Sequence, residues 1–377
     1  MVYFDNAATT RPSEAVISAV TEGLRCFGNP SSLHGLGLEA EQKREQARMS
    51  VASVLGAQPE EIFFTSCATE SSNTAIFGVS KKDGKRKKRI VTTSVEHPSV
   101  AVCMDRLEEQ GFEIVRLRPD ENGGFTAESI VSAVDENTCL VSCMLVNNET
   151  GSILPIEQAY NSIRKKFPQT VLHCDCVQGF MKLPIKVKKL GADLISLSAH
   201  KIHGPKGIGA LYVRKGLHLP PLLFGGGQES GFRSGTESIP LIMGFGAACG
   251  ELSGSIAERW KKVSPLRDRL VSKCAETEGF YINSTKDSSP YVVSIAVEGL
   301  KSEVMLHFLE QRGIYVSSGS ACSKGKKSSV ISEFGVPDRL SDSVLRISFS
   351  AENTEAEVDE LIAALIEAQS KLAHIKK

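Results

Sequence analysis

Along the first 250 residues, short apolar runs alternate with stretches in which apolar positions recur every three or four residues. The runs Glu61–Thr65, Arg89–Thr93, Phe112–Leu117, Cys139–Val146, Val171–Cys174, Leu194–Leu197 and Ala210–Val213 read as strands. Between them, Thr69–Val79, Val100–Gln110 and Ile156–Phe167 carry helical spacing. Strand–helix alternation predicts an α/β fold with a mostly parallel central sheet covered by helices. Ligands of such sheets bind at the carboxyl ends of the strands, which is where chemistry is to be sought.

After Gly250 the pattern changes. A helical stretch over Ile256–Thr277 is followed by strand-like Tyr291–Val297, a helix near Glu303–Arg312 and strand-like Val344–Phe349. Thr354 and Glu357 have the spacing of a capping box, and Val358, Leu361, Ile362, Leu365 and Leu372 then fall on one helical face. The reading is a large domain over 14–255 and a smaller α+β domain over 256–377, onto which residues 1–13 are expected to pack back.

Composition narrows the class. The 377 residues are 41% hydrophobic and 23% charged, and 44 basic residues balance 44 acidic ones. That balance favours neither nucleic acid nor an anionic membrane as partner. No basic-then-apolar leader opens the chain, and no run approaches the ~18 apolar residues of a membrane span. The ten cysteines are scattered, which fits reduced thiols and a cytoplasmic location better than a disulfide scaffold. The basic run Lys81–Arg89 reads as a solvated loop, with a site for an acidic partner protein as the other reading.

The candidate chemistry sits where apolar runs end. Ser198, Ala199, His200 and Lys201 close one strand ahead of a Gly/Pro-rich turn. A lysine there can form a Schiff base with a carbonyl group if burial and neighbouring charge ease loss of its proton. Asp175 closes another strand, in His173-Cys-Asp-Cys-Val-Gln178, and could stand beside a pyridine nitrogen. His173, Cys174 and Cys176 are not read as metal ligands, since no second pair with zinc spacing follows. Ala68 and Thr69 open a helix after a strand and small-residue turn, an arrangement suited to a phosphate. Gly225–Thr236 is a second glycine-rich stretch, read either as a phosphate cradle or as a loop. His97 follows a strand in Ser94-Val-Glu-His97 and could stack on a ring and move protons. Cys322 lies in a small, polar segment with three lysines close behind, a setting that lowers a thiol pKa, whereas Cys139 and Cys143 lie in an apolar strand and read as inert.

Together these segments resemble the cysteine desulfurases of the class V aminotransferase group, among the fold-type I enzymes that use pyridoxal 5′-phosphate (PLP). The resemblance runs from Asp5-Asn-Ala-Ala-Thr-Thr10 to Leu345-Arg-Ile-Ser-Phe349 and includes Phe27–Ser31, Val146–Glu149 and Arg233–Thr236. It implies Lys201 as the lysine that holds PLP, Asp175 as partner of the ring nitrogen and Gln178 as partner of the ring hydroxyl. His97 would stack on the ring and help deprotonate the substrate thiol. Ala68, Thr69, Ser198 and His200 would hold the phosphate, and Thr236 would reach it from a neighbouring subunit, so a homodimer is implied. Asn148 and Arg346 would bind the cofactor edge and the substrate carboxylate. Lys201 would also take the substrate Cα proton, and Cys322 would accept sulfur from L-cysteine as a persulfide, leaving L-alanine.

The Cys322 segment looks like the Ser-Ser-Gly-Ser-Ala-Cys type of group I enzymes, which deliver sulfur to iron–sulfur scaffold proteins. The sequence departs from the commoner pattern at Ala199 and Cys67, where glycine is usual, and in the Ser-Lys-Gly-Lys-Lys that follows Cys322. Two other readings stay open: a selenocysteine lyase or small-amino-acid aminotransferase on the same scaffold, and a non-enzymatic sulfur-delivery protein. The last would be expected to lack Lys201 or Asp175.

Overall fold

The computed structural model describes residues 1–84, 86–318 and 329–372. Among these lie twelve strands: β1 (Val2–Tyr3), β2 (Ile62–Thr65), β3 (Arg89–Thr93), β4 (Glu113–Leu117), β5 (Thr138–Met144), β6 (Val171–Asp175), β7 (Leu194–Ser198), β8 (Gly209–Val213), β9 (Phe280–Ile282), β10 (Val292–Val297), β11 (Ile314–Tyr315) and β12 (Val344–Ser348). β2 to β8 form a seven-stranded sheet in the order β2-β8-β7-β6-β5-β3-β4. Only β8 runs against its neighbours; the pairs from β7 through β4 are all parallel. The mostly parallel sheet expected from the sequence is present.

Parallel strands need cover on both faces, and alternate side chains supply it. Ile90, Leu140 and Leu194 share one core with Ala75, Ile76 and Val79, while their neighbours Val91, Val141 and Ile195 join another core with Val51, Leu55 and Phe245. The first face is covered by α3 (Ala68–Asp83) and α4 (Pro98–Glu109). On the second lie α1 (Glu14–Arg25), α2 (Gly35–Leu55) and a helix over Ile239–Leu252, none of which the sequence reading picked out. α3 runs on to Asp83, so the front of the basic run is helix, with Lys81 and Lys82 in the last turn, where cations favour the helix dipole. β5 ends two residues before the expected Val146, which instead bridges to Ile153. The side chain of Asn147 accepts from the N–H groups of Glu149 and Thr150 and turns the chain there.

A second core gathers Val263, Leu266 and Leu270 of a helix over Ile256–Glu276, the strands β10 and β12, and Val358, Leu361 and Leu365 of a helix over Glu355–Lys371. Val2, Phe4 and Ala7 belong to this core, since β1 pairs in parallel with β11 and Asn6 bonds to the Ser348 carbonyl. The final helix starts on a complete capping box: Thr354 accepts from the Glu357 N–H, and Glu357 accepts from the Thr354 N–H. It stops at Lys371; Leu372 is the C-cap and still packs against the second core.

Candidate active site

Five chain segments leave the same edge of the large sheet and surround one cavity of about 510 Å³, a size suited to a cofactor with substrate. They are the N-terminus of α3 after β2, the turn after β3, the turn after β5, and the ends of β6 and β7. A sixth contribution comes from the second core, whose β12 sends Arg346 into the cavity wall. The site therefore exists only while the two cores are docked.

Lys201 follows β7, and its amine donates to the Ala7 and Ala8 carbonyls at 2.6 and 2.7 Å. Those carbonyls belong to the N-terminal segment, whose Ala7 and Ala8 line the cavity. Asp175 ends β6 on the adjacent strand and is buried. Burial pushes its carboxyl up to about 6, against the pull of the Val177 N–H and of Lys201. A cation brought beside it would restore the charged form. Gln178 is held at both ends: its Nε2 donates to the Ala7 carbonyl at 2.9 Å, and its Oε1 accepts from Lys182 at 3.0 Å.

His97 caps α4. Its Nδ1 accepts the Ser99 N–H at 3.1 Å, so the neutral ring carries its proton on Nε2. Burial, then Lys201 and Arg346, pull its pKa down to about 4, and the ring is neutral at pH 7. His200 is also lowered to about 4, by burial and by Lys201. Arg346 donates to the Asn148 carbonyl at 3.1 Å and pairs with Asp5 at 3.0 Å, while its buried Nε has no hydrogen-bond partner.

The N-terminus of α3 has the form an anion needs. Cys67 is the N-cap but gives no side-chain cap, leaving the first-turn N–H groups of Ala68 and Thr69 capacity for a ligand. Gly209 of β8 lies directly behind: a Cβ there would stand 2.6 Å from the Leu197 carbonyl and 2.7 Å from the Cys67 carbonyl carbon. Ser198 and His200 complete this end of the cavity. A buried carboxylate, an amine, a helix N-terminus without a side-chain cap and an arginine around one volume fit PLP with a carboxylate-bearing substrate.

Of the residues expected from sequence, Ala68, Thr69, His97, Asn148, Asp175, Gln178, Ser198, His200, Lys201 and Arg346 all line this cavity. Thr236 does not; it is exposed on the glycine-rich loop. Cys322 lies outside the described residues. Its flanks are described: Ser317 exchanges backbone hydrogen bonds with Arg346 at 3.1 and 2.7 Å, and Val330 lines the cavity. The thiols that flank Asp175 are shut away. Cys174 and Cys176 are buried with their sulfurs 3.5 Å apart, and burial raises Cys174 well above the usual thiol range. Cys139 is likewise raised to about 12. His173 spends both ring nitrogens on Ser142 and Ser196.

Sequence reasoning passed over Glu96, whose carboxyl lines the cavity beside His97. One oxygen accepts from Thr93 and from the Met144 N–H, the other is buried without a partner, and burial raises the group to about 8. It also missed Ala7, Asp5 and Lys182. Their signal was adjacency: Glu96 precedes His97, and Asp5 and Ala7 stand in the noted N-terminal motif.

Comparison with known proteins agrees with this geometry. The family described as aminotransferase class-V matches residues 2–361. The chain is 39% identical over 384 residues to a NifS/IcsS protein homolog of Lactobacillus delbrueckii subsp. bulgaricus, covering all of both chains. It is 38% identical to the cysteine desulfurase IscS of Methanosarcina thermophila, over 99% of this chain and 93% of that one. Among solved structures, a NifS-like protein superposes with a TM-score of 0.93 at 40% identity, covering 98% of this chain and 100% of that one. SspA in complex with cysteine superposes at 0.82 with 33% identity, covering 94% and 100%.

Proposed function

The chain belongs to the aminotransferase class-V family and is a cysteine desulfurase, and on that premise we propose that PLP held by Lys201 serves to pass sulfur from L-cysteine to Cys322. The observation that carries this reading is the placing of Lys201 and Asp175 on adjacent strand ends over one cavity, with the α3 N-terminus and Arg346 at its margins.

Bound there, PLP supplies the sink for the electron pair released at the substrate carbon. Asp175 holds the ring nitrogen protonated, and Gln178 faces the ring oxygen. Ala68, Thr69, Ser198 and His200 hold the phosphate, completed by Thr236 of a second copy in a homodimer. Arg346 orients the substrate carboxylate, and Asn148 borders the cofactor edge. Lys201, once its amine leaves the Ala7 and Ala8 carbonyls, takes the Cα proton. His97 exchanges protons with the substrate at Nε2, the ring nitrogen not committed to Ser99. The Cys322 thiolate attacks the substrate sulfur, the carbon–sulfur bond breaks, and the carbon is reprotonated. L-cysteine and a thiol become L-alanine and a Cys322 persulfide, with no outside oxidant. Cys322 is five residues beyond Ser317, a reach of at most roughly 17 Å from a point bonded to Arg346.

The persulfide is then delivered to a sulfur acceptor of iron–sulfur cluster assembly, in the cytoplasm. Nine free thiols among the described residues fit that reducing setting.

The test is mass spectrometry after L-cysteine and before any reductant. The Cys322 peptide gains about 32 Da per sulfur, alanine appears in step, and Cys322→Ser retains the borohydride-fixable chromophore but forms neither product. Sulfur on Cys174 or Cys176 with an unmodified Cys322 peptide would overturn the assignment of the acceptor. Borohydride fixation on a lysine other than Lys201 would overturn that of the cofactor.

A further inference from the structure

Lys182 is a buried lysine that the reaction does not use. It follows β6 by seven residues, in a run of turns where Gly179 and Phe180 both bond back to the Cys176 carbonyl. Met181 just before it has φ of 57°, a left-handed conformation that side-chain-bearing residues rarely take. That turn sends Lys182 inward, where it lines a small second cavity with His203, Arg259 and Tyr291. Its amine lies 5.8 Å from the Tyr291 ring centroid and donates to Gln178 Oε1 at 3.0 Å. Burial, and then Lys201, Arg259 and Arg346, bring its pKa down to about 7. Three positive groups gathered around one buried amine call for a reason to keep it.

Gln178 gives that reason. An amide side chain has two possible orientations, and its partners select one. Here Oε1 meets a donor, Lys182, and Nε2 meets an acceptor, the Ala7 carbonyl. Reversed, the amide would set nitrogen against ammonium and oxygen against oxygen. Charged or neutral, Lys182 still donates. With one N–H on Ala7, the second N–H of Gln178 is left for the cavity that the residue lines. We propose that Lys182 is a positioning residue that fixes the orientation of the Gln178 amide, so that the site presents an N–H donor, and never a carbonyl, to the ring oxygen of PLP.

The inference rests on the cofactor reading above, and its test reads the bound cofactor as well as turnover. Lys182→Met should weaken PLP binding about tenfold, the worth of one hydrogen bond. It should also raise the pH midpoint of the cofactor's absorbance change by about half a unit or more, because an oxygen deprived of a donor keeps a shared proton to higher pH. Lys182→Gln, too short to reach Gln178, should do the same and serves if the methionine variant does not fold. Lys182→Arg, which keeps a donor of similar reach, should restore the midpoint. In a Gln178→Ala background, removing Lys182 should add no further shift. A wild-type midpoint and affinity in Lys182→Met would overturn the inference, as would an undiminished shift in the Gln178→Ala background, which would mark a direct effect of charge. Wild-type protein that acquires no borohydride-fixable chromophore on Lys201 would instead overturn the cofactor reading beneath it.

Discussion

At the scale of single residues, the site is governed by what burial does to charge. Glu96 shows it most clearly, because one carboxyl oxygen has no partner and the group is raised to about 8. The raised value means that the folded state favours the protonated acid. The stability this brings is complete below the ordinary glutamate value, and is lost as pH rises toward 8. Glu96→Gln, which carries no such titration, should therefore gain on the wild type with rising pH. In cofactor-free protein, urea unfolding at pH 5 and pH 8 should show the variant's relative stability improving by about 1–3 kcal/mol. An identical difference at both pH values would mean that Glu96 ionises normally. The gathering of these residues around one cavity was largely legible from sequence because each stands at a strand end beside a small-residue turn, as Asp175 and Lys201 do. Glu96 and Lys182 were not legible. Read along the chain they look like solvated charges, and only the fold puts them inside.

At the scale of elements, the proposed phosphate end of the cavity depends on how closely β8 approaches α3. Gly209 is the point of contact, with no room for a Cβ between the Leu197 carbonyl and the Cys67–Ala68 peptide. Gly209→Ala should push the α3 N-terminus outward. The expected result is a loss of about 1–3 kcal/mol in stability, as for other overpacked sites, with PLP affinity falling at least as steeply as stability. Unchanged phosphate and PLP binding would show that α3 does not cradle the anion. The strands of the large sheet were legible because buried parallel strands are apolar along their length. The Ile239–Leu252 helix was not, because it is apolar all round and rich in glycine. Gly246 explains that composition: a Cβ there would meet the Ala47 Cα at 2.7 Å. α2 escaped notice for the opposite reason. It buries mainly alanines and other small side chains among charges, so the helical period leaves little trace in hydrophobicity.

At the scale of the whole molecule, apolar side chains remain uncovered along one region. Leu24, Phe27, Leu33, Leu36 and Leu38 are exposed at the end of α1 and the start of α2, and Phe224 is exposed beside the glycine-rich loop. α2 is tied to that loop and the residue after it, through the Arg48–Glu229 and Arg44–Glu237 ion pairs. Exposed apolar side chains grouped on neighbouring segments commonly mark an interface, and with Thr236 exposed they are in keeping with the proposed homodimer. Sedimentation should give a dimer at micromolar concentration, and Phe27→Glu with Leu33→Glu should shift it to monomer with loss of PLP retention. A monomer that keeps full activity on dilution would sink the composite site. The N-terminal strand has a different kind of consequence, one of timing. Val2 pairs with Ile314, 312 residues later, and Asn6 and Ala7 wait for Ser348. On a ribosome adding ~5–20 residues per second, roughly 15–60 s separate the making of β1 from the making of its partner. The segment that supplies the Lys201-binding carbonyls is thus made about 300 residues ahead of the strands that hold it, and a nascent chain cannot close that wall of its cavity until those strands have followed.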